Sequence, residues 1–196
     1  MKVSLIDSPV ANVANIARAL RTAGAELEIT KDPAVIATSR KIVLPGVGSF
    51  VAAMQWLTEN GIDAAIRDAV SNGASLLGIC VGHQLLFAVS HEMGTTPGLG
   101  LVRGEVRKFD GVLPVPQIGW NRVAARGALF DGVEDGVFYF VNSYAAMSAP
   151  DEIAHADYGG PFTAAIQRGR VCGVQFHPEK SSAAGLRVLR NFIAWT

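Results

Sequence analysis

Short apolar segments alternate with segments of helical spacing along the first half of the chain. The apolar segments have the length and composition of buried β-strands and lie at residues 2–7, 25–30, 41–46 and 74–79. The helical segments lie at residues 12–24, 50–61, 62–73 and about 81–89. The first three of them end at a glycine, which commonly terminates a helix. This alternation predicts a parallel sheet that is covered by helices on both faces.

The second half of the chain has a different pattern. Strand-like segments lie at residues 105–109, 137–144, 162–167 and 170–176, and a last helix is predicted at residues 182–195. Gly169 marks a turn between the last two strands. We therefore predict an α/β fold with a mostly parallel central sheet and added antiparallel strands in the second half. No repeat or linker divides the sequence, so residues 1–196 are predicted to form one domain.

Composition and charge exclude several classes of partner. The chain has 17 basic and 17 acidic residues and no basic run, which argues against binding to nucleic acid or to an anionic membrane. No apolar stretch approaches the roughly 18–20 residues of a membrane span. Asp7 interrupts the only candidate signal region. Cys80 and Cys172 make no disulfide framework, so we expect a reducing, cytoplasmic location.

A cysteine lies where a buried strand is predicted to turn into a helix. Gly78, Cys80 and Gly82 form a G-x-C-x-G pattern, the cysteine form of the nucleophile elbow. The strained turn would expose the thiol above the sheet, with the backbone N–H of Val81 facing a developing oxyanion. The alternative is a small apolar residue in a buried turn. Cys172 has no such setting and is interpreted as core.

His177 is the best candidate to activate this thiol. Pro178 disfavours helix at His177, and in an extended segment Glu179 would share a face with it and orient the imidazole. The three residue types together give a nucleophile, a base and an orienting carboxylate. His83 lies on the same predicted helix as the thiol but has no orienting partner, and His155 is interpreted as a surface residue.

Both motifs resemble those of the class I glutamine amidotransferases. "GICVGHQLLF" matches the nucleophile motif, and "GVQFHPEKS" matches the histidine and glutamate motif. Within this family the chain resembles glutaminase subunits of imidazole glycerol phosphate synthases, which act in histidine biosynthesis. "LPGVGSF", "IGWN", "YFVNSY" and "GLRVLRNF" follow in that group's order, so the resemblance covers nearly the whole length.

The resemblance implies an activity and a set of residue roles. Cys80 would form a thioester with glutamine, and ammonia would pass to a (βα)8-barrel cyclase subunit in a heterodimer. No metal or organic cofactor is implied. Residue roles carried over from the family, or assigned with them, are the oxyanion hole (Val47, Gly48 and Val81), glutamine binding (Gln84, Ser143 and Tyr144) and the partner interface (Asn12, Trp120, Asn121 and Tyr139).

The chain departs from the family pattern at several positions. Asn142 stands where the family often has histidine, His83 where methionine is usual, and Ser8-Pro9 and Ala11 alter the first loop.

Two alternatives to this function are a glutaminase subunit of another synthase and a non-catalytic scaffold of the same fold. A cysteine peptidase is a third, although no feature suggests a peptide groove.

Overall fold

The computed structural model describes residues 1–9 and 11–195. The strands are β1 (Lys2–Ile6), β2 (Glu26–Thr30), β3 (Lys41–Gly46), β4 (Ser75–Cys80), β5 (Val89–Ser90), β6 (Thr96–Pro97), β7 (Glu105–Lys108), β8 (Gln117–Ala125), β9 (Asp135–Asn142), β10 (Tyr144–Ala145), β11 (Glu152–Asp157), β12 (Pro161–Arg168) and β13 (Val171–Val174). The helices are α1 (Val13–Thr22), α2 (Pro33–Thr38), α3 (Phe50–Glu59), α4 (Ile62–Ser71), α5 (Val81–Leu85) and α6 (Ser182–Ala194). Two short 3₁₀ helices cover Ala128–Phe130 and Pro178–Lys180.

A nine-stranded mixed sheet forms the centre of the molecule. Its strand order is β2-β1-β3-β4-β13-β12-β11-β8-β9. The first five strands in this order pair in parallel, and every pair from β13 to β9 is antiparallel. The predicted fold class is therefore confirmed. The central strands β3 and β4 are buried along their whole length, which explains why they lack polar alternation.

Several elements escaped the sequence analysis. The helix α2 and the strands β8 and β11 were not predicted, and the predicted strand over residues 170–176 ends at Val174. The nine residues of β8 alternate between exposed and less exposed positions, but they include Gly119 and Asn121, which weaken a strand pattern. A second, four-stranded sheet has the order β10-β7-β5-β6; β7 was predicted, whereas β5, β6 and β10 have only two residues each, too few for a recognisable period.

The helix after Cys80 is shorter than predicted. It was expected to reach about residue 89, but α5 ends at Leu85. The carbonyl groups that would continue it bind elsewhere: those of Leu85 and Leu86 accept hydrogen bonds of 2.8 and 3.0 Å from the N–H groups of Leu99 and Val102. These long-range bonds replace the next helical turn and lead the chain into β5. No helix within residues 1–9 and 11–195 is long and apolar enough to cross a membrane.

Candidate active site

Cys80 occupies a sharp turn between β4 and α5. Its φ and ψ angles are 56° and −110°, an unusual conformation for a residue with a side chain. The turn brings backbone segments too close together for side chains: a Cβ on Gly82 would overlap the carbonyl oxygen of Leu44, and one on Gly78 would overlap Gly82. Both glycines of the G-x-C-x-G pattern are therefore required by close packing, and the predicted elbow is present.

His177 and Glu179 form a buried pair beside this turn. The His177 Nδ1 atom lies 2.8 Å from Glu179 Oε1, and the two side chains are 4% and 1% exposed. His177 is extended, as predicted, with φ −98° and ψ 96°. The expected reason for the contact was wrong, however, because Glu179 lies in a 3₁₀ turn rather than in a continued extended segment. The turn at Pro178 folds the carboxylate back onto the ring.

The backbone of His177 is held by strand β9. The N–H of His177 donates to the carbonyl of Tyr139 over 2.9 Å. The Ser181 hydroxyl bridges the same two residues: its Oγ accepts from the N–H of Tyr139 at 2.9 Å and donates to the carbonyl of His177 at 2.6 Å. Ser181 is 1% exposed, so water does not compete for these bonds. His177 is therefore fixed both by its main-chain hydrogen bonds and by the contact of its Nδ1 atom with Glu179.

The pKa of His177 reflects this environment. Burial alone would lower the pKa, but interactions with Cys80 and Glu179 outweigh it and raise the pKa of His177 to about 10. The imidazolium form therefore predominates at neutral pH. Such a group can donate a proton to a leaving amine while Cys80 acts as nucleophile.

The thiol opens into a cavity of about 480 Å³. Nine of the predicted residues line it together, namely Asn12, Val47, Gly48, Cys80, Val81, Gln84, Ser143, Tyr144 and His177. Gln84 is buried, and its Nε2 atom donates to the carbonyl of Tyr144 at 2.8 Å and to Gln175 Oε1 at 2.9 Å. The fold thus brings the residues predicted to form the oxyanion hole and to bind glutamine around Cys80.

The cavity also contains groups that sequence reasoning missed. Glu92 lines it, and its Oε2 atom accepts a hydrogen bond of 2.8 Å from the N–H of Phe50 at the start of α3. Lys180, Val141 and Asn142 line it as well. The sequence offered no signal for Glu92, because it follows a two-residue strand of the small sheet. Only the fold shows that its carboxylate shares a cavity with Cys80.

The predicted interface residues do not all share one surface. Trp120 and Tyr139 lie opposite each other on β8 and β9, with ring centroids 5.9 Å apart. Trp120 is 54% exposed, and Ile118 and Val137 on the same strands are exposed too. Asn121 points to the other side of the sheet, where its Nδ2 atom donates to the carbonyl of Asp157 at 2.7 Å. Asn12 caps helix α1 at the rim of the cavity.

The remaining histidines and the second cysteine lie outside the cavity. His83 is fully buried against Phe87, and burial lowers its pKa to about 3. His155 is largely exposed, as predicted. Cys172 is fully buried, and burial raises its pKa, so it is a core residue. Among the residues that the structure describes, no cluster of histidine, cysteine and acidic side chains has the arrangement of a metal site.

Curated sequences similar to this chain share one description. The imidazole glycerol phosphate synthase subunit HisH of Moorella thermoacetica is 45% identical over 97% of this chain and 93% of its own length. The protein of the same description from Caulobacter vibrioides is 43% identical over 98% of both chains. The protein from Geobacillus kaustophilus is 42% identical over 97% of this chain and 95% of its own length.

Solved structures and a family profile place the fold and the family. A crystal structure described as a glutamine amidotransferase aligns over 97% of this chain and 96% of its own, with a TM-score of 0.78 and 18% identity. The structure of PurLQS from Thermotoga maritima aligns over 98% of this chain and 97% of its own, with a TM-score of 0.73 and 16% identity. The profile "Glutamine amidotransferase class-I" matches residues 4–195. The chain therefore belongs to the class I glutamine amidotransferase family.

Proposed function

We propose that this chain is the glutaminase subunit of an imidazole glycerol phosphate synthase, acting as one domain over residues 1–196. The observation that carries the chemistry is the buried His177–Glu179 pair beside the strained Cys80 turn, at the wall of a cavity. The sequence identity of 40–45% to HisH subunits over nearly the whole chain supports the choice of synthase. Its products are glutamate and ammonia, and the mechanism uses no metal or organic cofactor.

Acylation begins at the sulfur. The Cys80 thiolate attacks the carboxamide carbon of glutamine, and the carbonyl electrons move to oxygen. When the tetrahedral intermediate collapses, the C–N bond breaks and the His177 imidazolium gives its proton to the departing nitrogen. Ammonia leaves, and a γ-glutamyl thioester remains on Cys80.

Deacylation reverses the roles of the same groups. A water molecule attacks the thioester carbon while neutral His177 takes one of its protons, and the C–S bond breaks to release glutamate. The thiolate and the imidazolium are thereby restored. Glu179 keeps the ring oriented and stabilises its positive charge in both halves of the cycle.

The oxyanion would be stabilised by backbone groups at the ends of β3 and β4. We assign the N–H of Val81 as one donor and the Val47–Gly48 turn as the source of the second. Gly48 has a φ of 82°, which suits a turn whose peptide groups face a ligand. Gly46 at the end of β3 pairs with Cys80 and fixes the turn beside the nucleophile.

The other polar groups of the cavity fit the amino-acid end of glutamine. Gln84, Ser143 and Tyr144 line the cavity. Glu92 supplies a carboxylate outside the catalytic pair, which suits the α-ammonium group of the substrate. We therefore add Glu92 to the proposed glutamine-binding residues.

Glu92→Gln is expected to weaken glutamine binding rather than chemistry. Loss of a charge-assisted hydrogen bond of about 1.5–3 kcal/mol would raise KM for glutamine about 10–100-fold, with kcat changed much less. Steady-state glutaminase kinetics measure the two constants. Glu59→Gln on the exposed end of α3 is the matched control and should behave as wild type. An unchanged KM in Glu92→Gln would remove Glu92 from the binding site.

The partner is proposed to dock on the exposed apolar surface formed by Ile118, Trp120 and Val137 together with the half-buried ring of Tyr139. This surface lies on β8 and on β9, the edge strand of the sheet, and its exposed side chains are large and apolar. Lys180 connects it to the cavity, since its Nζ atom lies 5.7 Å from the Tyr139 ring centroid and it lines the cavity wall. A (βα)8-barrel cyclase seated here would be close to the released ammonia.

Trp120→Ala is expected to weaken this complex while the free subunit stays folded. Large aromatic residues dominate interfaces, and a loss of about 2 kcal/mol corresponds to roughly a 30-fold rise in Kd. Titration calorimetry with the purified cyclase gives the Kd, and circular dichroism reports folding. Ile29→Ala, an exposed apolar position on β2 at the far side of the sheet, should leave Kd unchanged. Unaltered binding by Trp120→Ala would move the interface elsewhere.

Reconstitution with candidate partners tests the proposed function. The chain is mixed with a purified (βα)8-barrel cyclase or, separately, with synthase subunits of other pathways, and glutamate formation is followed. We expect the cyclase, and none of the other synthase subunits, to stimulate glutamate formation. Stimulation by a different synthase would support the alternative subunit, and no hydrolysis with any partner would support a non-catalytic scaffold.

The cytoplasm is the proposed compartment, because Cys80 and Cys172 are both free thiols.

A further inference from the structure

Gln175 lies against the sulfur of Cys80 and has no part in the mechanism above. It follows the last residue of β13 and is 0% exposed. Its Nε2 atom lies 3.9 Å from Cys80 Sγ, within reach of an N–H···S interaction. The main chain is fixed too, because the N–H of Gln175 donates to the carbonyl of Ala164 on β12 at 2.8 Å.

The orientation of the Gln175 amide is determined by its neighbour Gln84. The Nε2 group of Gln84 has two hydrogens, and its two contacts are the carbonyl of Tyr144 at 2.8 Å and Gln175 Oε1 at 2.9 Å. Gln175 Oε1 is therefore an acceptor, and the donor side of the same amide must face the sulfur. A flipped amide would place two N–H₂ groups against each other and a carbonyl lone pair against the thiolate.

We infer that Gln175 is a positioning residue that donates a hydrogen bond to the Cys80 thiolate and holds it against rotation. This inference rests on the proposed nucleophilic role of Cys80. The donor favours the charged sulfur, because a buried anion needs hydrogen-bond partners. Gln84 acts indirectly, because its hydrogen bond orients the Gln175 amide, and that amide in turn orients the Cys80 sulfur.

The chain of contacts also joins the substrate site to the nucleophile. It runs from the Tyr144 carbonyl through Gln84 and Gln175 to Cys80. Gln84 therefore uses both hydrogens within the protein, and only its Oε1 atom is free to accept from glutamine. In the glutamine-binding role predicted from family resemblance, Gln84 would therefore accept a hydrogen bond from the substrate and would not donate one.

Gln175→Met tests the donor, since it keeps a long side chain and removes the amide. The rate at which iodoacetamide alkylates Cys80 is measured from pH 5 to pH 10 without glutamine, and peptide mass spectrometry separates Cys80 from Cys172. We expect the pH profile to move about one unit to higher pH and the neutral rate to fall about tenfold. Gln167→Met on β12, outside the cavity, is the control and should keep the wild-type profile.

Gln175→Glu provides a second test if Gln175→Met does not fold. Its carboxylate has the size of the amide but places negative charge beside the thiolate, so the profile should move further to higher pH. A wild-type profile in a folded Gln175 variant would overturn the inference, even if the rate were lower, because a packing role does not change proton affinity. If wild-type Cys80 is alkylated but forms no thioester with labelled glutamine, the proposed function itself fails instead.

Discussion

Cys80→Ser is expected to abolish glutamine-dependent synthesis and to spare synthesis from ammonium. A serine hydroxyl in the same turn has almost no anionic form at neutral pH, so acylation should slow by about 10⁴–10⁶-fold. Ammonium should bypass the step, because the role proposed for Cys80 is confined to releasing ammonia from glutamine. The complex with the cyclase is assayed with each nitrogen donor in turn.

Cys172→Ser is the matched control for this substitution. Its thiol is fully buried and lies 3.4 Å from the carbonyl of Leu76, where a hydroxyl can also donate. Both nitrogen donors should therefore support synthesis in Cys172→Ser. Substantial glutaminase activity in Cys80→Ser would contradict the assignment of the nucleophile, and loss of the ammonium reaction would indicate damage to the complex.

Glu179→Gln is expected to lower glutaminase kcat by about 10²–10⁴-fold and to change its pH dependence. A raised pKa keeps His177 protonated at neutral pH, and activity should fall only as the pH rises towards about 10. The hydrogen bond and the charge of Glu179 both raise this pKa, whereas burial lowers it. Without the carboxylate the pKa must fall, so the alkaline limb should move to lower pH.

The pH profile of kcat/KM in the stimulated complex measures this shift. Glu59→Gln controls for the loss of one negative charge at the surface, and its alkaline limb should match that of wild type. If the limb of Glu179→Gln stayed in place, Glu179 would not be the partner that sustains the imidazolium. The activity loss alone would not distinguish the two possibilities, since the carboxylate also packs against the ring.

The part of the site that was predictable lies in local sequence. The elbow follows from the local pattern of Gly78, Cys80 and Gly82: Gly78 packs against Gly82 within the turn itself, and only the contact of Gly82 with Leu44 on β3 depends on the sheet. The pairing of His177 with Glu179 also needs only a few neighbouring residues. The parallel half of the sheet was equally visible, since fully buried strands read as continuous apolar runs.

The part that was not predictable depends on distant contacts. Ser181 holds His177 against β9, and Gln175 after the end of β13 contacts Gln84 on α5; the sequence spacing predicts neither contact. Helix α5 stops early because residues 98–102 take its carbonyl groups. Glu92 reaches the cavity through the small sheet. In each case tertiary hydrogen bonds overrode or supplemented the local pattern.

Labelling by a glutamine-like diazoketone is the most direct test of the central claim that Cys80 is a nucleophile activated by His177 and Glu179. The complex is incubated with the reagent, digested and examined by peptide mass spectrometry, with and without excess glutamine. We predict one adduct per chain, on Cys80 alone, suppressed by glutamine and greatly slowed in His177→Ala. No adduct at Cys80, or an adduct that forms equally fast in His177→Ala, would contradict the account.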